Sequence, residues 1–531
     1  MANTTKSPYI LAIDLGSGGP KAALVSGRGE IIAQASGSIA TYHTSDGGGE
    51  QDANQWWQVT SQCVREVVGQ NVVPVDEIAA VSIASQWSVT VPVDEHGTAL
   101  MNAIHWSDSR GAVHTKRVTD GLIKISGYNA RKLYRWIRLT GGMPTDSGND
   151  ALAHILFIRH ERPEIYARTD KFLEPMDYLN LRLTGRAVAS HATVFPYLLT
   201  DNRDNTRIDY DQTLINWCGL DRTKLPDLVP VGTILGPIRE EAAKEWGLAP
   251  STQVITGTPD SQAAAVGSGA VRDYEAHICM GTTAWLSCHV PFKKTHLFKY
   301  LATMPSAIRG RNMVVAEQGP AGKCLGVFVD QWLCPADELT PEGAPADVYQ
   351  RIERLAESVP PGSEGLLFLP WLNGAGPPSG DGRVRGGFLN QSLRTTRAHA
   401  VRAVMEGVCF NLRWLQGSVE LFVGRRFDAL NVIGRCATMD VWCQSLASIL
   451  GCPVRRIANP EMATTRGAAL AALVALGHIT VEQIPSLVEV DRTFIPDPQQ
   501  RSTYDQLFAA FLRSYKANKP IFHQLNPPAV K

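Results

Sequence analysis

The chain has 531 residues, with 51 Lys plus Arg against 51 Asp plus Glu, and 44% of it is hydrophobic. A single core rarely grows past ~300 residues, so two or more domains are expected. The formal charge of zero leaves no electrostatic footprint for nucleic acid or an anionic membrane. Any phosphate must be held locally, by backbone amides and a few placed cations.

The ten cysteines are scattered and form no C-x-x-C pair, which reads as buried thiols in a reducing compartment rather than a disulfide framework or zinc site. Residues 1–8 are short and polar, without the pattern of a signal peptide. No run approaches the ~20 apolar residues that a membrane span needs. The expectation is a cytoplasmic enzyme-sized protein.

In chain order, residues 9–13 are an apolar strand that runs into Asp14-Leu15-Gly16-Ser17-Gly18-Gly19-Pro20-Lys21, and residues 22–25 resume as a second strand. Glycines let backbone N–H groups converge on a phosphate. Asp14 could hold Mg²⁺ through water, and Lys21 adds a local cation. An ordinary hairpin turn explains the same residues, and the Walker spacing is absent. Asp52 followed by Gln55, ahead of Trp56-Trp57, predicts a capped helix start. Residues 79–84 are a strand, and Gln86-Trp87-Ser88 follows it as an aromatic–polar cluster. Trp106-Ser107-Asp108-Ser109-Arg110 is a second such cluster, on a loop. An aromatic face beside polar groups suits a sugar, although a half-buried Trp next to an ion pair fits equally.

Residues 253–256 form a strand before Gly257-Thr258-Pro259-Asp260-Ser261 and a small-residue helix that spans 257–270. Asp260 could take a proton from an attacking hydroxyl or could be a plain helix N-cap. Residues 277–280 then lead into Gly281-Thr282-Thr283, with a further strand at 284–288, repeating the layout around Asp14. Two copies of strand–turn–strand suggest two similar domains that face one cleft. Residues 366–369 and 429–433 are further strands, and the latter enters Gly434-Arg435-Cys436-Ala437, a turn able to pass under an adenine ring. Val401, Val404, Met405, Val408, Cys409 and Leu412 make one apolar helical face. After about Ser502 comes one amphipathic helix with a polar end. Strands alternating with helices imply an α/β protein.

Assembled, these residues resemble the FGGY family of carbohydrate kinases, most of all its xylulokinase-like members, over nearly the whole chain. The resemblance rests on motifs in family order. These are the Asp14–Lys21 turn, Glu50-Gln51-Asp52, Trp106-x-Asp108-x-Arg110, Pro175-x-Asp177-Tyr178-Leu179, Gly257-x-x-Asp260, Gly281-Thr282-Thr283, Arg397-Ala398-His399 leading to Glu406-Gly407, and Gly467-Ala468-Ala469.

The resemblance implies two ribonuclease-H-like domains of the actin/hexokinase/Hsp70 superfamily around a central cleft. These would be an N-terminal domain over 1–265 for sugar, a C-terminal domain over 266–500 for ATP, and a helix and tail over 501–531. It also implies ATP-dependent phosphorylation of a small sugar, most like a pentulose such as xylulose. Asp260 would be the base, and Gln86, Trp87, Trp106 and Asp108 would join it around the sugar. Asp14, Gly16, Ser17, Gly18, Lys21, Gly281, Thr282 and Thr283 would hold the phosphates, with Asp14 steering Mg²⁺ through water. Gly434, Arg435, Cys436 and Ala437 would lie at the adenosine. The partners implied are the sugar and MgATP, with no nucleic acid or membrane, and a homodimer is compatible with the family.

The chain departs from the family pattern in several places. Gly18, Gly19 and Pro20 stand where hydroxyl residues are usual, Ser88-Val89 replaces a pocket His-Gly in Gln86-Trp87-Ser88-Val89, and Arg435-Cys436 replaces glycines. The alternative reading is a catalytically weakened paralogue that senses sugar or nucleotide.

Overall fold

A computed structural model describes residues 8–339 and 341–527. Two large sheets organise it. The N-terminal sheet contains β1 (Tyr9–Gly16), β2 (Gly19–Val25), β3 (Ile31–Ser36), β4 (Ile78–Ser85), β5 (Ile234–Pro237) and β6 (Gln253–Ile255) in the order β5-β6-β4-β1-β2-β3. The C-terminal sheet contains β7 (Ala276–Met280), β8 (Thr283–Val290), β9 (Leu301–Pro305), β10 (Asn312–Pro320), β11 (Leu430–Ile433), β12 (Val454–Ile457) and β13 (Val490–Phe494). Its order, read from the corresponding edge, is β13-β12-β11-β7-β8-β10-β9, with the two-residue strand Thr295–His296 paired beyond β9.

Both sheets share one plan. β1 pairs antiparallel with β2 and parallel with β4, just as β7 pairs antiparallel with β8 and parallel with β11. Each sheet also ends on an antiparallel edge strand, β5 or β13. The duplication expected from the two Gly turns is therefore a duplication of whole sheets. β1 and β4 are buried almost along their full length, as strands covered on both faces must be, and this explains their near-continuous apolar runs.

Helix α1 (Ala53–Gly69) starts where the sequence places it, with the Asp52 carboxylate accepting from Asn54 N–H. Gln55 does not complete a capping box, because its side chain accepts from Ala40 N–H instead. The predicted strand at 366–369 is Leu367–Leu369, which pairs only with Gly387–Leu389, outside both large sheets. The expected polar ends at 1–7 and 528–531 lie outside the described residues.

Three further helices pack on the two sheets. α2 (Asp260–Gly267) follows the N-terminal sheet, α3 (Arg397–Val423) backs the C-terminal sheet, and α4 (Ala463–Ala475) crosses over to lie on the N-terminal one. α2 and α4 meet backbone to backbone. A Cβ on Gly267 would lie 1.7 Å from Ala463 O, and one on Gly467 would lie 1.8 Å from Ala263 O. Only glycine allows that crossing at both points. The apolar cluster around it draws Ile10, Ala80 and Ala84 from one sheet and Ile433 and Ile457 from the other. The two halves are thus packed through a shared core next to the site. A final helix, α5 (Arg501–Leu525), lies on α3 and buries Tyr504, Phe511 and Tyr515.

Candidate active site

The parallel strands of the N-terminal sheet bring its chemistry together at their C-terminal ends. Asp14 on β1 sits in register with Ala84 on β4, and the short strand Thr258–Pro259 pairs with Ala84 and Ser85. Asp14, Gln86 and Asp260 therefore emerge side by side. Asp260 is the first residue of α2, and Pro259 takes the cap position. Its carboxylate accepts from Ser261 N–H at 2.6 Å. The plain-cap reading of Asp260 is thus replaced by a carboxylate at the helix mouth.

Asp260 is pushed up to about 7, first by burial, then by the Asp14 carboxylate, and less by Glu317. Asp14, only 8% exposed, is also raised by burial, against the pull of Lys21, its cross-strand partner. Glu317 projects from β10 of the other sheet and is likewise raised by the protein packed around it, though its side chain keeps an exposed face. Three carboxylates from both halves therefore face one space, and each resists ionising. Sequence reasoning missed Glu317. Its only local signal is a carboxylate directly after the apolar run of residues 313–316.

The two hairpin turns flank this floor. Ser17 and Gly18 are the turn residues between β1 and β2. Gly19 has φ +141°, and a Cβ there would lie 2.0 Å from Gly37 O, so that position requires glycine. Gly281 and Thr282 form the matching turn between β7 and β8, held by Ala321 N–H and Lys323 N–H donating to Thr282 O and by Gly322 N–H donating to Gly281 O. Lys323 is exposed beside that turn and was also missed, being one of many surface lysines in sequence. Lys21 reaches across the halves, its Nζ donating to Glu461 O at 3.1 Å.

A second network runs from the first turn to the predicted sugar residues. Trp106 Nε1 donates to Ser17 Oγ (2.8 Å), Ser17 Oγ donates to Gln86 Oε1 (2.8 Å), and Gln86 Nε2 donates to Gln51 Oε1 (2.7 Å). Trp106 remains 41% exposed, which leaves an aromatic face free. Trp87 turns its indole N–H to Thr193 O (2.8 Å) and packs on Phe195. Asp108 is fully buried, and its carboxylate accepts from Gly49 N–H, Arg110 N–H and Arg110 Nε, each at 2.9 Å. Asp108 thus holds the loop that carries Trp106, and no free oxygen of it faces the network.

Gly434 enters its turn at φ +93°, with a Cβ position 2.6 Å from Met280 O. Cys436 fills the space between this turn and the Gly281–Thr282 turn, its thiol donating to Gly281 O at 3.6 Å. Burial pushes that thiol up to about 12, so it stays neutral. Arg435 points outward and Ala437 is buried. The predicted adenosine and phosphate turns are therefore in contact.

Two like sheets, each offering a Gly hairpin to a space floored by carboxylates, define a phosphotransferase of the actin-like fold. The model of the FGGY family of carbohydrate kinases, N-terminal domain, matches residues 9–267, and that of its C-terminal domain matches residues 277–476. A xylulose kinase of Staphylococcus epidermidis is 27% identical over 525 residues, which cover 96% of this chain and 97% of that one. The crystal structure of gluconate kinase from Lactobacillus acidophilus superposes with a TM-score of 0.82 at 22% identity, covering 97% of this chain and 99% of that one. The structure of Plasmodium falciparum glycerol kinase with ADP gives 0.78 at 18% identity over 96% and 98%.

The chain belongs to the FGGY family of carbohydrate kinases. It is a phosphotransferase with an alcohol group as acceptor and takes a sugar and a nucleotide. All ten cysteines are free thiols, and among the described residues no helix is long and apolar enough to cross a membrane.

Proposed function

We propose that this kinase phosphorylates a small ketose, a pentulose such as xylulose, with Asp260 as the general base. The observation that carries the reading is the position of Asp260. It stands at the mouth of α2, beside Asp14 and next to the Gln86 strand end, between the two hairpin turns. Phosphoryl transfer needs little covalent help from the protein, but it needs a carboxylate on the attacking hydroxyl and donors on the phosphates. A base whose proton affinity lies near neutral pH is matched to that task.

On this reading the sugar lies against Trp106 and the Ser17–Gln86–Gln51 chain, within residues 1–265. The nucleotide lies on Gly281, Thr282 and Gly434–Ala437, within residues 266–500. The acceptor hydroxyl gives its proton to Asp260 as it takes the phosphoryl group. Gly16, Ser17, Gly18 and Lys21 meet the phosphates from one side, and Thr282, Thr283 and Lys323 from the other. Closure of the halves excludes water, which otherwise competes as acceptor.

Among the described residues no group of three His, Cys, Asp or Glu side chains is disposed to hold a metal directly. The facing carboxylates of Asp14, Asp260 and Glu317 nevertheless suit a hard cation kept on its own waters, with Asp14 as the residue that steers it. Bound there, Mg²⁺ would neutralise charge on the phosphates. The free thiols, eight of the ten buried, accord with a cytoplasmic setting.

Support for xylulose comes from the full-length likeness to the S. epidermidis enzyme, and the test is sugar-dependent ADP release across ketoses, aldoses and polyols. D-xylulose should give the highest kcat/KM. A clear preference for gluconate or glycerol would reject the pentulose reading while leaving Asp260 as base.

A further inference from the structure

Between α2 and β7 the chain passes through residues 268–275, which belong to neither matched family segment. This connection forms one wall of a cavity of about 380 Å³. The opposite wall comes from the segment that leads into β11 and from β12, and a third from residues 485–490. The volume lies within the range of small-molecule sites. The cavity meets the Ala276 end of β7, whereas the hairpin at Gly281 is at the other end, roughly 13 Å along the strand at ~3.3 Å per residue.

Four arginines line the cavity: Arg272, Arg425, Arg426 and Arg455. Arg272 is paired with Glu275 at 3.1 Å, and Arg425 lies over the Tyr274 ring at 4.3 Å. The guanidinium groups of Arg426 and Arg455 have no hydrogen-bond or ion-pair partner among the described residues, even though Asp273 and Asp428 line the same space. Three guanidinium groups are therefore left without a carboxylate around one concavity. A guanidinium is a planar fork of donors that matches phosphate oxygens, and such charge-assisted bonds are among the strongest a surface cavity can offer.

We infer that this cavity is a binding site for a small phosphorylated metabolite, separate from the catalytic cleft. Arg426 and Arg455 take the phosphate, and the Tyr274 ring with Arg425 closes over the rest of the molecule. One wall is the connection from α2 to β7, so a ligand there touches the segment that leads from the N-terminal half into the C-terminal sheet.

The test is calorimetric titration of the full chain with D-ribose 5-phosphate, in the presence of saturating ADP to fill the nucleotide turns. Saturable binding is expected. The double substitution Arg426→Ala with Arg455→Ala should weaken it at least tenfold, while Arg426→Lys with Arg455→Lys should weaken it less. Both side chains are exposed, so the melting temperature of the free variants should match that of the parent. Uncharged ribose should not displace the phosphate ester. The inference is overturned by an absence of saturable binding at millimolar ligand, by binding that survives the double alanine change, or by displacement with ribose.

Discussion

The glycine crossing of α2 and α4 makes a sharp prediction, because the obstacles there are backbone atoms. Gly467→Ala would put a methyl 1.8 Å from Ala263 O and 2.7 Å from Gly267 N, and Gly267→Ala would put one 1.7 Å from Ala463 O. Carbon atoms pack comfortably only at roughly 3.5 Å, so either change must part the helices by about 1.5 Å. Overpacking of this kind costs about 1–3 kcal/mol, and the upper end is expected because neither carbonyl belongs to a side chain that can rotate away. The same shift moves Asp260, which begins α2, and Glu461, whose carbonyl holds Lys21 just ahead of α4. A misplacement of about 1 Å can cost roughly a hundredfold in rate, so kcat/KM should fall further than stability.

The double variant should be strongly non-additive, since one separation relieves both clashes. Urea unfolding and steady-state kinetics of the two singles, the double and Gly417→Ala test this. Gly417 lies inside α3, and a methyl placed on it would meet nothing within 4 Å, so its alanine variant should gain about 0.5–1 kcal/mol. Singles that stay within 0.5 kcal/mol of the parent (about that margin covers a neutral surface change) and keep full activity would refute the reasoning, as would strict additivity.

Further outcomes follow from the carboxylates. Asp260 must be ionised to accept a proton, so kcat/KM of the free enzyme should fall as pH drops through about 7. Glu317→Gln removes a like charge and should move that midpoint to lower pH, as a pH–rate profile would show. Because Asp260 holds its proton more tightly folded than unfolded, ionising it costs stability as pH rises from 3.8 to about 7. Asp260→Asn should therefore be more stable than the parent at pH 8, by at most about 4 kcal/mol, and no more stable at pH 4 by chemical denaturation. Glu406 accepts from Arg402 Nε, Gly362 N–H, Ser363 Oγ and Tyr504 OH. Glu406→Ala would leave the buried Arg402 guanidinium without its carboxylate, with only the Ala356 and Val359 carbonyls to accept from it, and should cost about 3–5 kcal/mol in urea unfolding.

Much of this was legible in sequence because it is written in local rules. The hairpins at Gly16–Gly19 and Gly281–Thr283 announce themselves through glycines after apolar strands, and Asp52 announces α1. What was not legible depends on partners distant in the chain. Asp260 could not be told from a cap until the parallel register placed Asp14 beside it. Glu317 comes near enough for its charge to raise Asp260 only because two sheets oppose one another, and a carboxylate after an apolar run is all that marks it locally. Asp108 carries a motif residue's identity, yet burial against Arg110 and Gly49 gives it the work of holding the Trp106 loop. Gly267 and Gly467 each sit in small-residue helices, but their pairing across two hundred residues belongs to the packing alone. Cys436 fits the turn after β11 because its small thiol fills the gap over Gly281.

The central claim is that Asp260 takes the proton from the sugar hydroxyl. Sugar-dependent ADP release by the parent and by Asp260→Asn tests it most directly, with ATP binding and thermal melting measured on the same samples. The account predicts a loss of roughly 10²–10⁴-fold in kcat, with ATP binding kept and the fold intact. Full sugar-dependent activity in the asparagine variant would contradict it.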